Sequence, residues 1–170
     1  HSDGSVLLDS GDAGAFNFTI IRAFGGHQSL DAGSTTLMAG AGGAANFAAI
    51  QAQSQDIHIR GDLAFIAGGS ASSGTSGGGA QMGGRGGAAP SAANLALAVD
   101  GNLTLSGGTV AGSVIGQGLV NNEPTNAAIG VGGNVALNPG TAPGATARIG
   151  SRADSSAGGT IGVTAGGSIA

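Results

Sequence analysis

The sequence predicts an all-β chain wound into a parallel β-solenoid of about five rungs, with Gly-rich loops leaving the rod. Two observations carry this prediction: a short pattern that recurs along the 170 residues, and a composition that leaves few other folds open. The pattern is a Gly, a small polar residue, then alternating apolar positions. It recurs at Gly4-Ser5-Val6, Gly33-Ser34-Thr35, Gly61-Asp62-Leu63, Gly101-Asn102-Leu103, Gly133-Asn134-Val135 and Gly167-Ser168-Ile169, at spacings of 29, 28, 40, 32 and 34 residues. Periods of this size mark architectures in which one unit cannot bury its apolar face alone and must stack on its neighbours.

Composition removes the competing folds. There are 37 Gly and 32 Ala, and without Ala the apolar fraction falls from 41% to about 22%, too little for a compact two-layer core. Lys, Trp, Tyr and Cys are absent and Glu123 is the single Glu, so the usual residues of a helical bundle are missing. Nucleic acid is excluded as a partner because five Arg against nine acids, net −4, cannot neutralise a run of phosphates. The apolar residues fall in short alternating runs, which a disordered tail has no reason to keep.

Each unit reads as three strands. The first precedes the anchor glycine, with apolar residues four and two positions before it: Ile57/Ile59, Leu97/Val99, Ile129/Val131 and Val163/Ala165. A Gly-Asn or Gly-Asp turn follows, and a second strand opens the core column Leu63, Leu103, Val135 and Ile169. After a bend at Gly68-Gly69, Gly107-Gly108 or Gly140 comes a third apolar stretch, Val110 to Ile115 in one unit and Ala145 to Ile149 in another. Strands of equal rank should pair one rung apart, at about 4.8 Å per rung. The first two anchors lack the upstream alternation. The whole chain, 1–170, is expected to be one solenoid segment of a longer repeat protein, because it opens at His1 and closes inside a repeat.

Asp62, Asn102, Asn134 and Ser168 should form a corner ladder, since Asn and Asp tolerate tight-turn conformations and bond nearby backbone. Calcium is the alternative, with Asp9-Ser10-Gly11-Asp12 as the nearest approach to a ligand cluster, but the dense nonapeptide period of repeat calcium sites is absent. No metal or cofactor is expected. The stretch 68–90, rich in Gly and Ser, is expected to leave the rod as an insertion loop or to line it as an extended segment, and 116–126 is a second candidate loop. Arg60-Gly61-Asp62 has the composition of the integrin-recognition tripeptide, although the repeat already requires Gly61 and Asp62. Asn17-Phe18-Thr19 and Asn102-Leu103-Thr104 match the glycosylation acceptor pattern. No catalytic residues are assigned: His58 alternates with Ile57 and Ile59 and should face solvent, and the acids are scattered singly along the chain.

The units IHIRGDLAFIAGG, LAVDGNLTLSGG, IGVGGNVALNPG and VTAGGSIA resemble the repeats of filamentous-haemagglutinin-type adhesins and autotransporter passenger domains of Gram-negative bacteria. The resemblance implies a right-handed parallel β-helix, secretion through an outer-membrane barrel partner, an extracellular location, and adhesion to other cells, surfaces or glycans. A solenoid acting on polysaccharide, tailspike- or lyase-like, is the alternative. Strand edges near Val6 to Leu8 and Val163 to Ile169 carry no recognisable cap, which predicts end-to-end self-association or continuation into further repeats.

Overall fold

The computed structural model describes residues 4–42, 45–69, 79–84, 92–116, 124–151 and 158–170. Each rung contributes three strands. The first has β1 (Val6–Asp9), β2 (Phe18–Arg22) and β3 (His27–Ala32), and the second β4 (Thr35–Met38), β5 (Phe47–Gln51) and β6 (Ser54–Ile59). The third has β7 (Leu63–Ile66), β8 (Gly79–Gly83) and β9 (Ala93–Val99), the fourth β10 (Leu103–Ser106), β11 (Gly112–Gly116) and β12 (Thr125–Val131). The fifth has β13 (Val135–Asn138), β14 (Ala147–Gly150) and β15 (Ile161–Ala165).

Strands of equal rank pair in parallel and form three five-stranded sheets: sheet A from β1-β4-β7-β10-β13, sheet B from β2-β5-β8-β11-β14, and sheet C from β3-β6-β9-β12-β15. The chain is therefore an all-β parallel solenoid, with no helix among the described residues. Ser168–Ala170 begin a further strand on β13, through the bridge Val135↔Ile169 and the bond from Leu137 N–H to the Ala170 carbonyl at 2.9 Å.

Sheets A and C alternate as their sequences do. Leu63, Leu103 and Val135 point inward, sit in one register column and are at most 1% exposed, while the intervening Ala64, Thr104 and Ala136 are half-buried on the outer side. In sheet C the inward column runs Leu30, Ile57, Leu97, Ile129 and Val163. Each fully buried Leu or Ile contributes roughly 1.5–3 kcal/mol, so the stacked columns hold the rungs together.

Sheet B follows another rule. In β11 (GSVIG) every residue is buried, and in β5 (FAAIQ) all but Phe47 are, so these two strands are covered on both faces. A strand buried on both sides needs no polar alternation, which is why these segments carry no two-residue period. The stretch 68–90 is accordingly not one loop: Gly79–Gly83 is β8, paired between β5 and β11, while 70–78 and 85–90 lie outside the described residues. Gly79 and Gly112 face each other on neighbouring rungs, where a Cβ on Gly79 would overlap the Gly112 carbonyl. Of the expected loop 116–126, Thr125 and Asn126 open β12, and 117–123 lie outside the described residues.

The missing alternation before Gly33 also has a cause. In every later rung four positions separate the last inward residue of sheet C from the first of sheet A, as from Ile59 to Leu63, but Ala32 to Thr35 is three. Arg60 is the residue without a counterpart in the first corner, so the inward pair Leu30 and Ala32 sits one place closer to its glycine.

Candidate functional site

Between sheets C and A each rung turns on the anchor glycine and its polar successor. Asp62 Oδ1 accepts from the Asn102 backbone N–H at 2.7 Å and from its side-chain amide at 3.1 Å. Asn102 Oδ1 accepts in the same way from Asn134, at 3.0 and 3.3 Å, and Asn134 Oδ1 accepts from the N–H and hydroxyl of Ser168, at 2.9 and 3.0 Å. Ser34 Oγ starts the column by accepting from the Asp62 N–H at 3.3 Å. Each corner residue thus satisfies a backbone donor of the next rung, as caps do at helix ends. The anchor must be Gly: a Cβ on Gly101 would overlap Asp62 Oδ1.

This geometry decides what Arg60-Gly61-Asp62 is doing. Asp62 is a ladder member, Gly61 N–H donates to the Gly33 carbonyl at 2.7 Å, and Arg60 Nε lies 3.2 Å from Asp31 Oδ1. All three residues are engaged in rung-to-rung contacts, with Arg60 and Gly61 half-buried and Asp62 exposed. The two acceptor sequons separate likewise. Asn102 uses both side-chain atoms in the ladder, whereas Asn17 is half-buried beside the exposed 11–16 turn, its amide donating to the Ala13 carbonyl.

A second ladder went unread in the sequence. At the entry to sheet C, Asn126 Nδ2 donates to Asn94 Oδ1 at 2.9 Å and Asn126 Oδ1 accepts from the Thr160 N–H at 3.1 Å. Its signal was present: Asn94, Asn126 and Thr160 each stand seven residues before an anchor glycine.

The outer face of sheet C gathers charges that are far apart in sequence. His27 Nε2 lies 3.4 Å from Asp56, His58 Nε2 lies 3.1 Å from Asp100, and Arg60 pairs with Asp31, each pair bridging rungs on a partly exposed surface. In the following rungs the same columns hold Ala96, Ala98, Ala128, Gly130, Gly162 and Thr164, a smooth uncharged floor. No family model, curated protein or solved structure matches the chain.

His27 Nδ1 stands 3.3 Å from Ser54 Oγ, so Ser54, His27 and Asp56 have the composition of a nucleophilic triad. Both contacts are long, more than half of the His27 and Asp56 side chains is exposed, and Ser54 opens β6 in the column of Asn94. Among the described residues no group of three or more His, Asp or Glu could hold a metal ion. Asp9 Oδ1 and Asp12 Oδ1 instead accept from the backbone N–H groups of Gly11 and Ala41, at 2.8 and 2.9 Å.

Proposed function

We propose that the chain is a structural and adhesive segment of a secreted bacterial cell-surface β-solenoid. The observation that carries this reading is how the connections divide. The C-to-A connections beginning after β6, β9 and β12 are three residues each, at 60–62, 100–102 and 132–134. Those from A to B run from five residues (107–111) to twelve (67–78). A rod with one fixed corner and two corners open to insertion is a scaffold for displaying variable loops, where binding residues concentrate. The resemblance of the repeats adds the outer-membrane secretion partner, the extracellular location, and other cells, surfaces or glycans as targets. Beads coated with the chain should be retained on cells or on a glycan array above beads coated with an unrelated β-solenoid. Equal retention removes the adhesive part of the reading.

A second reading has one observation in its favour: Asp31, Asp56, Asp100, His27, His58 and Arg60 share one region of sheet C, so a polysaccharide laid across the rungs would meet acids and bases together. Each carboxylate already has a His or Arg partner on a neighbouring rung, which supports cross-linking of rungs over catalysis. Incubation with acidic polysaccharides discriminates, since new reducing ends or unsaturated products would establish the enzymatic reading.

A further inference from the structure

We draw no further inference here: the strongest candidate, the shallow groove on the outer face of sheet C where Asp31, Asp56 and His58 border an exposed floor of Ala96, Ala98 and Ala128, belongs to the charged face already described, and nothing in the structure shows what covers that floor.

Discussion

The corner between sheets C and A and the corner between sheets A and B solve the same problem with different chemistry. Both turn the chain by a sharp angle in every rung, and both must satisfy backbone groups that leave the strand ladder. The first does so with side chains, through the Ser34, Asp62, Asn102, Asn134, Ser168 column. The second does so by stacking bare backbone: Cβ atoms on Gly68, Gly108 and Gly140 would each collide with the carbonyl of the glycine one rung below. The ladder corners at 60–62, 100–102 and 132–134 hold three residues each and the Ser34 corner holds two, so the ladder corner varies by one residue. A glycine column fixes only the point where the turn begins, and the chain beyond it is free to vary in length. The spread of repeat lengths from 28 to 40 residues is absorbed away from the ladder corner for this reason.

The sharpest test of the difference is insertion. One Ala placed between Asp100 and Gly101 should cost on the order of 3 kcal/mol or more, because it pushes β10 out of register and turns Leu103 and Leu105 toward solvent. The same insertion between Pro143 and Gly144, on an exposed connection, should cost less than about 1 kcal/mol. Chemical denaturation of both variants reads the two values, and similar losses would show that the corners are equally constrained.

Next in size is Gly108→Ala. The added methyl meets the Gly68 and Ala67 carbonyls, backbone that cannot swing aside, so a loss of about 2–3 kcal/mol is expected. Gly101→Ala also meets backbone, the Gly61 carbonyl at 2.7 Å, but less closely than Gly108→Ala meets Gly68, and its nearest contact is the Asp62 side chain, so the smaller drop in denaturation midpoint should appear there.

Asn102→Ala removes the acceptor for Asn134 and the donor to Asp62 together, and should cost about 1–2 kcal/mol, and Asn102→Asp should not restore it, because a second carboxylate would then stand against Asp62. A midpoint unmoved by the alanine would mean that water replaces the ladder without loss. The smallest change should be a gain. Thr35 fills the position that Leu63 and Leu103 hold in later rungs, is 1% exposed, and its hydroxyl has no hydrogen-bond partner, so Thr35→Val should raise stability by about 1 kcal/mol. A fall in melting temperature would place an unseen partner on that hydroxyl.

The sequence by itself determined the solenoid, its three strands per rung and the ladder corner, because these rest on local rules. Alternation in β9, β10, β12 and β13 reports one buried face, and the Gly-Asp and Gly-Asn turns report a backbone path that few residues take. Sheet B was legible only in part, since strands covered on both sides lose the two-residue period, and β8, GAQMG, reads as loop until β5 and β11 are seen on either side of it. The first corner was hidden by one missing residue, which shifts Leu30 and Ala32 against their glycine. Only the tertiary structure could place His27 beside Asp56, His58 beside Asp100 and Arg60 beside Asp31, since partners 29 to 42 positions apart in sequence become neighbours only when coils of irregular length are stacked. Local sequence carries the period of a strand and the shape of a turn. Which charges meet depends on the summed lengths of every connection between them, and that sum acquires meaning only once the rungs are in register.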